Sequence, residues 1–227
     1  MDDVRPLVAI VDYGLGNLFS VEQACTFVGL NSIITNSRKD ILNADAVILP
    51  GVGAYGDAML TLHRLDLVHV LRDIVETATP LFGICLGLQL LMTESYEFGC
   101  HKGLGIIEGP VVRFDAPEEK GRLLKVPQIG WNRIYQPTHG AQWGGTFLEK
   151  VNNGEYMYFV HSYTVQPQDS NLIFATSRYG HIEFCSSIQS GNVFACQFHP
   201  ERSGQAGLNV YHNFAAHLKT VVPGGTN

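Results

Sequence analysis

The sequence has little of what marks membrane-spanning, nucleic-acid-binding or disulfide-stabilised proteins. Only 16% of its 227 residues are charged, and 15 Lys and Arg against 21 Asp and Glu give a net charge of −6. Without a basic cluster, we expect no binding to nucleic acid or to an anionic membrane surface. No apolar run approaches the roughly 20 residues that span a bilayer, and the acidic start does not resemble a secretory signal. We therefore expect a cytoplasmic globular protein.

Cysteine is also scarce, with five residues in an odd and scattered set. A disulfide framework is not expected from such a set. Cys196 and His199 are three residues apart in a strand-like segment, so their side chains should point to opposite faces. No second Cys/His pair has the spacing of a zinc site, and we predict no bound metal.

Periodicity in the first hundred residues predicts alternating strands and helices. The strands are expected at 7–12, 32–35, 46–50 and 80–84, and the helices at 17–29, 55–76 and 86–95. This order indicates βαβ units and hence a parallel sheet covered by helices.

After about residue 105 the pattern changes to short strands separated by turn residues, with a hairpin expected at Ser190–Asn192 and a final helix at 206–220. We predict an α/β fold with an open mixed sheet flanked by helices and an added antiparallel region in the C-terminal half. We also expect one domain over residues 1–220 and a loose tail over 221–227.

Gly14-x-Gly16 follows the first strand as in a dinucleotide-binding fold. Phe19 stands where that fingerprint has its third glycine, and the second strand ends at Thr35–Asn36 without the acidic residue that would bind a ribose. We predict no nucleotide cofactor, and the loop instead presents backbone groups and Asn17 at the sheet's C-terminal edge.

The segment "PLFGICLGLQLL" (80–91) places Cys85 between Gly83 and Gly87 where a strand turns into a helix. Strained strand-to-helix turns of this kind raise a nucleophile above a sheet. A helix N-terminus also favours the thiolate, and the N–H of Leu86 would face an oxyanion. The alternative is a small buried thiol in a glycine-rich turn.

A thiolate nucleophile needs a base, and the base needs an orienting carboxylate. The segment "VFACQFHPERSG" (193–204) offers His199 and, beyond Pro200, Glu201 at the end of a strand. A structural histidine is the alternative, but the cysteine turn in the same chain favours a Cys85–His199–Glu201 triad.

Two further features fit such a site. "LPGVGAYGDAM" (49–59) is a glycine-rich loop after a strand, and its Gly51, Val52 and Gly53 would complete an oxyanion hole unless the loop is only flexible. Gln89 lies one helical turn after Cys85, where it would contact an amide or carboxylate substrate.

In this order and spacing, "PGVG", "GICLGLQLL" and "HPERSG" resemble the class I glutamine amidotransferases over residues 7–219. "VPQIGWNRI" (126–134), "MYFVHSYTV" (157–165) and "DYGLGN" resemble segments of the glutaminase subunit of imidazole glycerol phosphate synthase.

The resemblance implies a flavodoxin-like sheet, no cofactor, and hydrolysis of glutamine to glutamate and ammonia. It also implies a heterodimer that channels the ammonia to a (β/α)₈-barrel cyclase subunit in histidine biosynthesis. In this family Cys85 would be the nucleophile, His199 the acid/base and Glu201 its orienter, with the "PGVG" loop poorly set for catalysis until the partner docks. The residues expected near the partner are Asn17, Gln128, Trp131, Asn132 and Arg202.

Other functions stay open at this stage. The same glutaminase chemistry could supply a related synthase in surface-sugar biosynthesis. A cysteine peptidase or γ-glutamyl hydrolase would leave the "PQIGWN" and "FVHSY" segments without a purpose. The chain could also be a partner-binding module without catalysis, although an intact triad argues against this.

Overall fold

The computed structural model describes residues 5–138 and 142–221. The helices are α1 Leu18–Phe27, α2 Arg38–Leu42, α3 Tyr55–Arg64, α4 Leu67–Glu76, α5 Leu86–Leu90 and α6 Gly204–Val221, with 3-10 turns at Ser170–Leu172 and Pro200–Arg202. The strands are β1 Leu7–Val11, β2 Asn31–Thr35, β3 Ala46–Gly51, β4 Leu81–Cys85, β5 Met92–Ser95, β6 His101–Lys102, β7 Ile107–Arg113, β8 Glu118–Glu119, β9 Arg122–Leu123, β10 Gln128–Ile134, β11 Glu155–His161, β12 Tyr163–Val165, β13 Ile173–Tyr179, β14 Ile182–Ser190 and β15 Val193–Cys196.

A seven-stranded mixed sheet forms the centre of the molecule, in the order β13-β14-β15-β4-β3-β1-β2. The five strands from β15 to β2 are parallel, and β14 and β13 add an antiparallel edge. The parallel part has the flavodoxin-like doubly wound order, which places a ligand crevice at the carboxyl ends of the strands. The predicted fold class is therefore confirmed.

The central strands are buried on both faces because helices cover both sides of the sheet. All residues of β3 and β4 are buried, and each reads as an almost continuous apolar run. One hydrophobic cluster lies under α3, α4 and α5, and a second lies under α1 and α6.

Strands in the C-terminal half follow the sequence pattern closely. β14 and β15 form the predicted hairpin, in which Ser190 pairs with Val193. β10 and β11 form a separate antiparallel ribbon, and β12, β7, β5 and β6 form a four-stranded sheet.

The prediction of a helix over 86–95 is wrong in its second half. Helix α5 ends at Leu90, and β5 begins at Met92. The reason is long-range, because Met92 and Glu94 pair with β7 across the smaller sheet. Local periodicity carries no information about such a partner.

The final helix is confirmed and extends from Gly204 to Val221. The other residues of the predicted tail, 222–227, lie outside the described residues. Across the described part of the chain, no helix combines the length and the apolar character needed to cross a bilayer.

Candidate active site

Cys85 lies at the junction of β4 and α5 in a conformation that is costly for a residue with a side chain, with φ 55° and ψ −107°. The two flanking glycines are explained by close packing. A Cβ on Gly87 would collide with the carbonyl oxygen of Leu49 in β3, and one on Gly83 would lie 3.0 Å from the Cβ of Ala195. The turn therefore needs both glycines for its helix to lie against the sheet.

His199 reaches the same edge of the sheet from β15. Cys196 pairs with Ile84 in the parallel ladder, so the chain leaves β15 directly beside the cysteine turn. Pro200 then begins a 3-10 turn that brings the Glu201 carboxylate back to the imidazole, with Nδ1 and Oε1 2.8 Å apart. Both side chains are buried, with 3% and 1% of their surface exposed.

The electrostatics of this group favour a protonated imidazole. Burial alone would lower the pKa of His199, but the negative charge of Cys85, together with that of Glu201, raises it to about 10. No described residue satisfies hydrogen-bond geometry at Nε2, although Cys85 is close enough to act on the imidazole. The raised pKa favours the imidazolium form of His199, which is the form that can protonate a leaving group.

Two glutamine side chains, Gln197 and Gln89, form a hydrogen-bonded pair next to the Cys85 sulfur. Gln197 Nε2 lies 3.6 Å from Cys85 Sγ, and its Oε1 accepts a hydrogen bond of 3.0 Å from Gln89 Nε2. Gln89 Nε2 also donates to the Tyr163 carbonyl at 3.1 Å. Because both amide hydrogens of Gln89 are used, only its Oε1 remains to contact a substrate.

A cavity of about 230 Å³ opens beside the sulfur. Its walls combine the loop after β3, the start of α5, the segment 160–163, Pro127 and Glu97. Burial lowers the pKa of His161 to about 4, so this imidazole is neutral near pH 7. Glu97, whose side chain accepts the backbone N–H of Tyr55 at the start of α3, brings a carboxyl group to the cavity wall.

The predicted oxyanion-hole residues divide into two groups. Val52, Gly53 and Leu86 line the cavity. Gly51 lies in β3 opposite Cys85 in the ladder, buried between neighbouring side chains. The "PGVG" loop therefore lies next to Cys85, but Val52 and Gly53 face the cavity whereas Gly51 is packed within the sheet.

The residues predicted to face a partner differ in their exposure and in their contacts. Trp131 is 56% exposed on the ribbon, and the Arg202 guanidinium lies 4.8 Å from the centroid of the Tyr158 ring. Asn17 precedes α1, and Asn132 donates to the Arg178 carbonyl at 2.8 Å. Gln128 is only 3% exposed, so its side chain does not reach the surface.

Sequence reasoning missed Glu97, Gln197 and His161. Gln197 stands two residues before His199, within a segment already recognised, and strand alternation would have placed it beside Cys85. Glu97 carries no local signal, because it enters the cavity through the turn between β5 and β6. Within the described ranges, no group of three or more His, Cys, Asp or Glu residues could hold a metal ion.

Comparisons with known proteins identify the family to which the chain belongs. The family model described as glutamine amidotransferase class-I matches residues 9–218. The imidazole glycerol phosphate synthase subunit HisH of Syntrophotalea carbinolica is 45% identical over 209 residues, covering 92% of this chain and 98% of that protein. The HisH subunit of Aquifex aeolicus is 43% identical over 206 residues, covering 90% and 94%.

Solved structures share the fold at lower sequence identity. PurLQS from Thermotoga maritima superposes with a TM-score of 0.71 at 19% identity, covering 95% of this chain and 100% of that chain. The glutaminase domain of Trypanosoma brucei CTPS with bound acivicin gives a TM-score of 0.67 at 18% identity, covering 95% and 94%.

Proposed function

Because the chain belongs to the class I glutamine amidotransferases, and within them to the HisH subunits of imidazole glycerol phosphate synthase, we propose that it hydrolyses L-glutamine with Cys85, His199 and Glu201. The chemistry is assigned to one glutaminase domain over residues 1–220. The observation that carries the proposal is the buried Cys85–His199–Glu201 group, whose Cys85 lines the 230 Å³ cavity.

The reaction begins when His199 takes the proton of the Cys85 thiol, which gives a thiolate and an imidazolium. The Cys85 thiolate attacks the side-chain amide carbon of glutamine, and the oxygen gains the negative charge of a tetrahedral intermediate. Backbone N–H groups of the "PGVG" loop and of Leu86 stabilise that oxygen. The His199 imidazolium gives its proton to the amide nitrogen, which leaves as ammonia, and a γ-glutamyl thioester remains. Neutral His199 then removes a proton from water, whose oxygen displaces the sulfur and releases glutamate.

Glu97 is proposed to bind the α-ammonium group of glutamine. It is the carboxylate in the cavity wall, and its tie to the backbone of Tyr55 holds it there. Main-chain groups of 160–163, which also line the cavity, can receive the rest of the amino-acid moiety, and Gln89 Oε1 adds an acceptor.

Replacing Glu97 with glutamine should raise the KM for glutamine about 10- to 100-fold and leave kcat within a few-fold. A charge-assisted hydrogen bond to the substrate is lost in the ground state and transition state alike, at a cost of about 1.5–3 kcal/mol. Steady-state kinetics of the stimulated enzyme measures both constants. Glu94→Gln is the matched control, because Glu94 binds the Tyr96 hydroxyl at the surface instead. An unchanged KM in Glu97→Gln would remove Glu97 from the binding site.

The proposed partner is a cyclase subunit of the (β/α)₈-barrel type, which receives the ammonia in histidine biosynthesis. The HisH relatives are named as subunits of a synthase. The exposed face of the β10–β11 ribbon supports a docking role, because it presents Ile129 and Trp131 to solvent beside the cavity.

This face is connected to the catalytic histidine. Trp131 contacts Tyr158 edge-to-face at 6.1 Å between ring centroids, and the Tyr158 carbonyl accepts the His199 N–H at 2.8 Å. The Tyr158 N–H is in turn bound to Ser203 Oγ, which donates to the His199 carbonyl. A partner that moves the ribbon would therefore act directly on the position of His199.

The expected result of the functional test is slow glutamine turnover by the isolated chain and faster turnover with a barrel cyclase subunit and its nucleotide ligand. We expect a stimulation of about 100-fold or more, the size of a completed oxyanion hole. Glutamate release is measured with the histidine-pathway cyclase and, in parallel, with a cyclase-like subunit from surface-sugar biosynthesis. Full turnover by the chain alone would contradict the gating, and stimulation by only the second partner would reassign the pathway.

We place the reaction in the cytoplasm. All five cysteines are free thiols, and four of them are buried. The nucleophile has to stay reduced, which is the normal state of a thiol in that compartment.

A further inference from the structure

Tyr13 lies beyond the end of β1 and contacts the active-site loop, and it is not one of the residues that line the cavity. Its side chain is 2% exposed, and its hydroxyl donates a hydrogen bond of 2.8 Å to the carbonyl of Pro50. Pro50 immediately precedes Gly51, so this bond acts on the first peptide unit of the "PGVG" loop.

The Tyr13 hydroxyl supplies a hydrogen bond to β3 beyond the point where the pairing of β1 with β3 ends. β1 pairs with β3 from Val8 and Ala46 to Ile10 and Ile48, and the described ladder goes no further. Beyond that point β1 stays paired with β2 up to Val11 and Thr35, and the Asp12 carboxylate accepts the Gly14 N–H at 2.9 Å. The Tyr13 side chain then reaches alongside β3 and supplies the donor that the backbone of β1 no longer offers.

The same hydroxyl restricts Gly51. A Cβ at Gly51 would collide with the Tyr13 hydroxyl and would lie 3.0 Å from the Cβ of Leu86. Gly51 is therefore enclosed between a tyrosine and the first residue of α5. The glycine is needed for close approach here, not for freedom of rotation.

The second half of the loop has different surroundings. Val52 is 39% exposed, and Gly53 has a φ of +110°, which glycine adopts without strain. Among the described residues, the nearest atom to a Cβ at Gly53 would be Leu15 Cδ2 at 3.6 Å. The Pro50–Gly51 peptide is thus held by a hydrogen bond and closely packed, whereas Val52 and Gly53 have space around them.

We infer that Tyr13 is a positioning residue for glutamine hydrolysis, fixing the Pro50–Gly51 peptide so that reorientation of the oxyanion-binding loop is confined to Val52–Gly53. The inference rests on the proposed function, since it concerns the same oxyanion. A fixed Pro50–Gly51 peptide holds the N–H donors of the loop in position relative to Cys85. Donors that are preorganised in this way lower the activation barrier of glutamine hydrolysis without changing substrate binding.

Tyr13→Phe tests this directly, because it removes the hydroxyl and keeps the ring. In the complex with the stimulating partner, kcat should fall about 10-fold while the KM for glutamine stays within about 2-fold. A tenfold loss corresponds to about 1.4 kcal/mol of transition-state stabilisation. The rate of Cys85 alkylation by iodoacetamide should not change, because that reaction needs the thiolate but no oxyanion hole.

The control is Tyr179→Phe, which also removes a tyrosine hydroxyl bound to a main-chain carbonyl, that of Lys125 at 2.6 Å, and should keep wild-type kcat. Wild-type kcat in Tyr13→Phe, or an alkylation rate that falls together with kcat, would overturn the inference. If wild-type complex itself fails to hydrolyse glutamine, the proposed function fails instead, and the two results are distinct.

A measurement on the wild-type chain covers the case in which Tyr13→Phe does not fold. Amide hydrogen exchange followed by NMR should show a Gly51 N–H at least 100-fold better protected than the Val52 and Gly53 N–H groups. Equal exchange rates at the three amides would contradict the inference that Pro50–Gly51 is fixed while Val52–Gly53 can reorient.

Discussion

Replacing Cys85 with alanine should lower partner-stimulated glutamine hydrolysis by about ten-thousand-fold or more, to the background of the assay. Removal of a covalent nucleophile leaves only substrate binding and oxyanion stabilisation, which cannot form the thioester. Cys85 is almost fully buried, so the variant should still bind the partner. Glutamate release and complex formation by gel filtration measure the two properties separately.

Cys100→Ala is the matched control, because Cys100 is an exposed free thiol outside the triad and its loss should leave turnover unchanged. Loss of partner binding in Cys85→Ala, together with no measurable turnover by the wild-type complex, would support a binding module in place of an enzyme. Residual hydrolysis within about 10-fold of wild type would mean that another group attacks glutamine.

Replacing Gly87 with alanine should give the second largest effect, through the position of the nucleophile. The added methyl group would overlap the carbonyl oxygen of Leu49 and lie 2.9 Å from its carbonyl carbon. Since Leu49 is in the middle of the sheet, α5 would have to move and take Cys85 with it. We expect a decrease of about 3 kcal/mol in the free energy of unfolding and a loss of turnover of about 100-fold or more.

Urea denaturation and stimulated turnover measure these effects, and two other glycines provide a graded comparison. Gly83→Ala should be milder, because its nearest neighbour is the Ala195 methyl group at 3.0 Å. Gly144→Ala should be neutral, because no atom of the described residues lies within 4 Å of the added Cβ. Equal stability of all three variants would refute the close-packing account of the cysteine turn.

The sequence allowed much of the fold to be predicted because the central strands are apolar and turn residues separate them. The hairpin before β15 and the final helix were both predicted, since each depends on residues close together in the chain. The error at 86–95 arose where the chain joins a distant strand. An apolar run such as Leu90–Met92 fits a helix or a strand equally well until its partner is known.

The chain alone determined the kinds of groups at the candidate site: a cysteine between two glycines, a histidine with a glutamate after proline, and a glycine-rich loop. These are local patterns, because a strained turn, a 3-10 turn and a tight loop each need particular residues in sequence. Tertiary structure alone decided the charge state of His199, the bonds that engage Gln89, the entry of Glu97 into the cavity and the contact between Tyr13 and Pro50. Each of these depends on distances between residues far apart in the chain, and burial and charge act through space rather than along the sequence.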